Sequence, residues 1–136
     1  MSFVLGLDIG TTSTIGILID GQGGTLATAA RPVTLHSDGP GQAEEDPQQW
    51  WANTGEIVRE LMTRSGLDAR ELGAIGVTGM LPAVILLDDA LQPIRRGIQQ
   101  NDARAGTEID ELRAHRNAHE GHRELGQTPQ RAWDQA

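Results

Sequence analysis

The sequence contains no cysteine and no lysine, and aromatic side chains make up only 3% of its 136 residues. Without cysteine, disulfide bonds and cysteine-ligated metal sites are excluded, and a cytoplasmic location is favoured. Without lysine, the Gly-Lys-Ser/Thr phosphate loop of Walker-type nucleotide-binding proteins is excluded. Because aromatic residues are scarce, the core must consist of Ile, Leu, Val and Ala. A chain of this length is expected to form one domain.

Basic charge is also scarce, since the formal net charge is −8 at pH 7. Nucleic-acid-binding surfaces normally carry clustered basic residues, so no nucleic-acid partner is expected. A phosphorylated small molecule stays compatible with this charge, because a bound Mg²⁺ can dominate the local field. No apolar run is long enough to cross a membrane, so no membrane partner is expected. The first residues lack the pattern of a signal peptide.

The clearest chemical pattern lies near the start, where two apolar runs flank a short polar turn. Backbone N–H groups and hydroxyls in such a turn bind anions. A carboxylate beside a phosphate is favourable only if a divalent cation stands between them. We therefore interpret Asp8 as an Mg²⁺ ligand, and the turn as a phosphate-binding cradle formed by Gly10, Thr11, Thr12 and Ser13. The alternative interpretation is an ordinary hairpin with a polar turn.

Hydrophobic periodicity predicts a compact α/β arrangement. Three antiparallel strands are expected over residues 2–7, 14–20 and 25–32, followed by a helix that is capped by Asp46 and ends at Gly66. The apolar run 74–79 is predicted to be a strand buried on both faces. Because a helix separates it from the first strands, it should pair parallel with strand 2–7 and end beside the Asp8 turn.

The second half of the chain is less regular. Strands are expected over residues 83–87 and 91–94. A helix is expected from Ala103 to about Arg116, capped by Asn101 or Asp102, with Ile109 and Leu112 facing inward. Residues 117–136 form a polar tail for which we expect little stable packing.

Two groups of residues could bind metal, although a simpler role is favoured for each. Glu44, Glu45 and Asp46 precede a helix, where acidic side chains usually act as caps and dipole partners. His115, His119 and His122 would share one helical face and could bind Zn²⁺ or Ni²⁺. Gly121 interrupts that spacing, so a solvated tail is the preferred interpretation.

Five segments together resemble the N-terminal part of the FGGY carbohydrate kinases, the sugar-kinase branch of the actin-like ATPase superfamily. They cover residues 3–116, and xylulokinase-like members look more similar than glycerol kinase-like members. The segments are Gly6-Leu7-Asp8-Ile9-Gly10-Thr11-Thr12-Ser13, Gly41-Gln42-Ala43-Glu44-Glu45-Asp46-Pro47 with Trp50-Trp51, Ala74-Ile75-Gly76-Val77-Thr78-Gly79-Met80, Leu86-Leu87-Asp88, and Asn101-Asp102-Ala103-Arg104.

The resemblance implies a ribonuclease-H-like half-domain, with a mixed sheet of an antiparallel meander plus a parallel strand and flanking helices. It also implies ATP-dependent phosphorylation of a sugar or polyol, with ATP and Mg²⁺ as cofactors. Asp8 would help to hold Mg²⁺, and the hydroxyls of residues 11–13 would approach the γ-phosphate. The implied substrate-binding residues are Met80, Leu81, Gln100, Asn101, Asp102 and Arg104.

Three departures from the family pattern qualify these expectations. Ile15 stands where members usually carry Lys or Arg. The segment Met80-Leu81-Pro82-Ala83 replaces a more polar pocket sequence, and Gln100 replaces a Trp. Complete members are several times longer, with the general base and most of the adenine pocket in later segments, beyond Ala136.

We therefore expect this chain to be a fragment, produced by deliberate truncation or by a truncated or frameshifted gene. We expect the fragment to be inactive by itself and to contain no catalytic residue. The alternative is a non-catalytic binding module that keeps the fold and forms a homodimer through the surface exposed by the missing domain. A ribonuclease-H-like nuclease using Asp8 is disfavoured by the net charge and by the lack of further strand-end acids.

Overall fold

A computed structural model describes residues 2–120, with side chains described as far as residue 116. The chain divides into two compact units, Met1–Asp102 and Ala103–Ala136. The predicted domain boundary at residue 116 stays a prediction. Of the histidine trio, only the side chain of His115 lies within the described residues, so its metal-binding interpretation is not tested.

Among the described residues, the first unit contains six strands and one long helix, and the second contains one helix. The strands are β1 (Phe3–Ile9), β2 (Ser13–Ile19), β3 (Thr25–Pro32), β4 (Glu44–Glu45), β5 (Leu72–Gly79) and β6 (Gly97–Ile98), and the helices are α1 (Pro47–Ser65) and α2 (Gly106–Glu120). A four-stranded sheet has the order β3-β2-β1-β5, in which only the β1–β5 pair is parallel. The predicted mixed sheet is confirmed.

The turn between β2 and β3 forms around the side chain of Asp20. Its Oδ1 accepts hydrogen bonds from the backbone N–H groups of Gln22 and Gly24, both at 2.8 Å. Gly23 adopts a left-handed conformation with φ of 86°, which favours glycine. The glycines of this segment are therefore turn residues.

Helix α1 begins and ends as its sequence predicts. The Asp46 carboxylate accepts the backbone N–H of Gln48 at 2.9 Å, and Gly66 closes the helix with φ of 69°. Ile57 and Leu61 are fully buried in a core cluster that they form with apolar residues of β1, β2 and β3. A Cβ at Gly16 would lie 2.3 Å from the Ile57 Cγ2 atom, so the helix packs directly on the strand backbone. Each fully buried aliphatic side chain contributes about 1.5–3 kcal/mol.

Strand β5 pairs parallel with β1 as predicted, with Asp8 opposite Thr78 and Ile9 opposite Gly79. The prediction that it is buried on both faces is wrong. Ile75 and Val77 are 59% and 64% exposed. Helix α1 packs mainly on β2 and β3, and within the part of the chain that is described no layer covers β5. The apolar composition of a strand shows that it could be buried, but whether it is buried depends on the elements that pack against it.

Residues 83–94 do not form the two predicted strands. Only isolated bridges join Leu87 to Pro93 and Val84 to Ile98. Asp88 organises the turn, since its Oδ1 accepts the backbone N–H groups of Ala90 and Gln92. Pro93 has no N–H to donate, which limits the ladder. The chain instead forms β6, which pairs antiparallel with β4.

The second unit, as far as it is described, consists of α2. The helix begins at Gly106, not Ala103, and Ile109 and Leu112 are exposed rather than turned inward. Within the described residues of this unit, a single helix offers these side chains no apolar surface. The predicted cap by Asp102 is also wrong, because the helix begins at Gly106; the Asp102 carboxylate accepts the N–H of Ala43. Neither described helix has the length and apolar character needed to cross a lipid bilayer.

Candidate functional site

The turn between β1 and β2 is closed by backbone hydrogen bonds. The Gly10 N–H donates to the Ser13 carbonyl oxygen at 3.0 Å, and the Val33 N–H donates to the Thr12 carbonyl oxygen at 2.9 Å. A Cβ at Gly10 would lie only 3.1 Å from the Ser13 oxygen, which explains a small residue there. These bonds close the turn, and Thr11 and Thr12 line a cavity beside it.

That cavity has a volume of about 300 Å³ and is lined by three segments that are far apart in the sequence. Its lining residues are Thr11, Thr12, Val33, Leu35, Gln100 and Asn101. The predicted phosphate-binding turn and part of the predicted substrate-binding segment therefore meet in one place. Hydroxyl and amide groups on an apolar floor can hydrogen-bond phosphate oxygens or sugar hydroxyls.

Asp8 lies beside the turn but outside this cavity. Its exposed side chain lines a groove of about 400 Å³ on the sheet face opposite α1, together with Ile15, Ile17 and Thr78. The carboxylate is near the turn, since a Cβ at Gly10 would lie 3.9 Å from Asp8 Oδ2. No cluster of three or more His, Cys, Asp or Glu side chains suited to a metal occurs among the described residues. One carboxylate suits Mg²⁺, which keeps several waters and is completed by substrate phosphates.

The segment after β5 is anchored next to β1. The Met80 N–H donates to the Ile9 carbonyl oxygen at 3.1 Å, so this segment lies beside the Asp8 turn as predicted. Leu81 is exposed, and neither Met80 nor Leu81 lines the 300 Å³ cavity. The structure therefore brings the predicted substrate-binding residues to two places, one at the cavity and one at the end of β5.

Asp102 has a structural role in the first unit. Its Oδ2 accepts the Ala43 N–H at 2.8 Å, and its own N–H donates to the Gln99 carbonyl oxygen at 3.0 Å. These two bonds fix the turn that carries Gln100 and Asn101. Arg104 belongs to the second unit, and its predicted contact with substrate stays a prediction.

A buried polar cluster lies next to this turn and was missed from the sequence. Glu45 is completely buried, and its Oε2 accepts the Trp50 indole N–H at 2.9 Å. Burial raises the pKa of the Glu45 carboxyl, and the Trp50 hydrogen bond opposes this only in part. The other carboxyl oxygen of Glu45 and the side-chain oxygen of the buried Gln99 have no partner among the described residues.

The acidic segment before α1 thus has three separate roles. Asp46 caps the helix, which confirms that part of the capping interpretation. Glu44 pairs with Arg95, and Glu45 is buried, so neither acts as the expected cap. The signal that could have identified Glu45 is the tryptophan five residues later, whose N–H needs a buried acceptor.

The chain is similar to carbohydrate kinases over most of its length. The model of the FGGY family of carbohydrate kinases, N-terminal domain, matches residues 3–132, which extends past Arg116. A glycerol kinase from Rhizobium rhizogenes is 32% identical over 112 residues, which are 82% of this chain and 22% of that enzyme.

Solved structures show the same likeness. The xylulose kinase from Rhodospirillum rubrum is 52% identical with a TM-score of 0.77, covering 83% of this chain and 23% of that one. The xylulose kinase from Lactobacillus acidophilus is 26% identical with a TM-score of 0.77, covering 88% and 24%. The chain thus spans under a quarter of these relatives. It belongs to the FGGY family of carbohydrate kinases and matches the N-terminal domain of that family.

Proposed function

We propose that this chain is the part of an ATP-dependent sugar or polyol kinase that holds the phosphate end of Mg·ATP and one side of the sugar. Membership of a carbohydrate kinase family implies the use of a nucleotide with a divalent cation. The observation that carries the proposal is the cavity in which Thr11 and Thr12 of the turn meet Gln100 and Asn101. Phosphoryl transfer requires the phosphate donor and the acceptor hydroxyl to lie side by side.

The residues have distinct roles in this proposal. Gly10, Thr11, Thr12 and Ser13 contact phosphate oxygens through N–H and hydroxyl groups. Asp8 holds Mg²⁺, directly or through water, and the ion supplies the charge neutralisation that phosphoryl transfer needs. Gln100 and Asn101 contact sugar hydroxyls, Asp102 holds their turn in place, and Met80, Leu81 and Arg104 complete the substrate side.

We also propose that the chain by itself does not turn over substrate. It spans under a quarter of its relatives. The aspartate that acts as general base in this family is expected in a later segment. A chain that supplies only this part of the site does not by itself close around the nucleotide and exclude water, a step that such enzymes need. The 52% identity to a xylulose kinase favours a pentulose as the substrate of the complete enzyme, and we place that enzyme in the cytoplasm.

The test has two parts that separate binding from turnover. Isothermal titration with Mg·ATP should show weak binding, and a coupled ADP-release assay with pentuloses and polyols should show no sugar-dependent turnover. Turnover by this chain alone would overturn the proposed inactivity. Absence of any nucleotide binding at high micromolar protein would overturn the proposed phosphate site.

The second candidate is a non-catalytic module that assembles through the surface left uncovered in this chain. The observation that favours it is the exposure of Ile75 and Val77 on β5. This candidate is compatible with retained phosphate binding, and the two are distinguished by measuring assembly and nucleotide binding separately.

A further inference from the structure

Two buried oxygen atoms beside the turn that carries Gln100 and Asn101 have no hydrogen-bond partner among the described residues. They are Oε1 of Glu45 and Oε1 of Gln99. The two residues are 0% and 3% exposed, so a further segment of protein cannot reach these oxygens without opening the fold. A buried polar atom without a partner is strongly unfavourable, and native proteins rarely contain one. The explanation must therefore lie within this chain.

The side chains of Glu45 and Gln99 lie on the same face of the β4–β6 ladder. Glu45 is opposite Gly97 in the antiparallel register, and the Gln99 N–H donates to the Ala43 carbonyl oxygen at 2.9 Å, which continues that register. Because side chains alternate along a strand, Glu45 and Gln99 project to the same side as diagonal neighbours. Long side chains reach each other across such a diagonal.

The other polar atoms of both side chains already have partners. Glu45 Oε2 accepts the Trp50 indole N–H at 2.9 Å, and Gln99 Nε2 donates to the Gly97 carbonyl oxygen at 3.4 Å. The two remaining atoms are both oxygens, and two oxygens form a hydrogen bond only if one of them carries a proton. A neutral carboxyl group has such a proton, whereas an ionised carboxylate has none.

Within the described part of the chain, no basic side chain holds Glu45 in its ionised form. Burial raises the pKa of its carboxyl group, and the Trp50 hydrogen bond is the one effect that lowers it. The charged groups of the neighbouring segments have partners of their own: Glu44 pairs with Arg95, Asp46 accepts the Gln48 N–H, and Asp102 accepts the Ala43 N–H.

Gln99 connects this buried cluster to the cavity. Its carbonyl oxygen accepts the Asp102 N–H at 3.0 Å, and this bond closes the turn that carries Gln100 and Asn101. Both of these residues line the 300 Å³ cavity. A bond that fixes the side chain of Gln99 therefore fixes one end of the turn.

We propose that Glu45 keeps its proton in the folded chain and donates it in a hydrogen bond to the side-chain oxygen of Gln99, which positions the turn for substrate. Glu45 is then a positioning residue that acts through Gln99. The effect on substrate rests on the proposed function, whereas the hydrogen bond and its effect on the turn do not.

The direction of the bond is tested by the pKa of Glu45. NMR of the chain labelled with [13C]glutamate, recorded over a pH series, gives this pKa, and the signal that is missing in Glu45→Gln identifies it. Gln99→Met keeps the length of the side chain but removes its oxygen. The pKa of Glu45 should fall in this variant, because the neutral form has lost a stabilising hydrogen bond. Gln22→Met, in the distant β2–β3 turn, is the matched control and should leave this pKa unchanged.

Two other results would overturn the proposed bond. A higher pKa of Glu45 in Gln99→Met would show that Gln99 donates to an ionised carboxylate. An unchanged pKa would show that the two side chains do not interact.

The positioning role is tested by two substitutions of Glu45. In Glu45→Gln the new amide can accept the Trp50 N–H and donate to Gln99, so both bonds are kept, whereas Glu45→Met keeps neither. Hydrogen exchange of the Asp102 N–H, compared with that of Leu61 in α1, should be about tenfold faster in Glu45→Met and within about twofold in Glu45→Gln. Equal acceleration at Leu61 would mean that the whole fold is loosened, and would contradict the positioning role. If Glu45→Met does not fold, Gln99→Met takes its place in this measurement.

Titration with D-xylulose separates this inference from the proposed function. The side-chain amide signal of Asn101 reports binding, which should be about fivefold weaker in Glu45→Met than in Glu45→Gln. Equal affinity of these two variants would overturn the effect on substrate. If no variant binds the sugar while the pKa of Glu45 falls in Gln99→Met as expected, the proposed sugar contacts fail and the bond between Glu45 and Gln99 stands.

Discussion

The carboxyl group of Glu45 is completely buried and accepts the indole N–H of Trp50 at 2.9 Å. Glu45 lies opposite Gly97 in the β4–β6 pair, and a Cβ at Gly97 would lie 3.5 Å from the Trp50 ring. Gly97 therefore lies against the ring whose N–H is bound to the carboxyl group. This cluster adjoins Gln99 and therefore the turn that carries Gln100 and Asn101.

Removing the negative charge at Glu45 should stabilise the fold at neutral pH. Burial raises the pKa of Glu45 above its usual 4.5. The folded state therefore favours the protonated form. The stability from this preference is complete below pH 4.5 and is lost as the pH rises through the raised pKa. Glu45→Gln should therefore have a higher free energy of unfolding at pH 7 than the unmodified chain. Its free energy of unfolding should also decrease less as the pH rises above 4.5. Urea unfolding at a series of pH values measures both effects.

Removing the acceptor should have the opposite effect. Glu45→Ala leaves the Trp50 N–H buried without a partner, which costs about 1–3 kcal/mol. The double variant Glu45→Ala, Trp50→Phe also removes the unpaired donor, so it should regain part of the lost free energy of unfolding. Equal stabilities of Glu45→Ala and the unmodified chain would show that the hydrogen bond contributes nothing.

The contact of α1 with the sheet depends on Gly16. Its backbone lies against Ile57, so Gly16→Ala forces the helix away and should cost about 1–3 kcal/mol. Gly76→Ala is the matched control, since its Cβ would enter open space on the same sheet and should change stability by less than about 0.5 kcal/mol. Thermal unfolding of both variants at equal protein concentration measures the two losses of stability.

The cavity residues should affect ligand binding without affecting stability. Thr12 and Asn101 are exposed, so Thr12→Val and Asn101→Ala should change the unfolding midpoint little. Thr12→Val should weaken Mg·ATP binding about fivefold to tenfold through loss of one hydrogen bond to a charged phosphate. Gln22→Ala, in the distant β2–β3 turn, is the control. Equal weakening by Gln22→Ala would contradict the assignment of the cavity.

Local features of the fold were predictable from the sequence, and features set by distant contacts were not. The Asp46 cap and the Gly66 stop are formed by neighbouring residues, and both were identified. The parallel pairing of β5 with β1 followed from the length of the connection between them. The exposure of Ile75 depends on which elements pack on β5, and no local pattern in that strand reports this.

The same distinction applies to the candidate site. The turn at Gly10 was visible as a motif, but its meeting with Gln100 required the β4–β6 ladder, whose strands contain two residues each. Strands this short give no periodicity signal. The burial of Glu45 depends on the same ladder. This is why a residue considered as a cap or a metal ligand proved to be part of the core.

The central claim is that Asp8 and the adjoining turn bind nucleotide phosphate through Mg²⁺. Titration of ATP into the unmodified chain and into Asp8→Asn, each with Mg²⁺ and with EDTA, tests it most directly. We predict that Mg²⁺ strengthens binding to the unmodified chain at least tenfold and has less than a twofold effect on Asp8→Asn. Equal Mg²⁺ dependence of the two proteins would contradict the account.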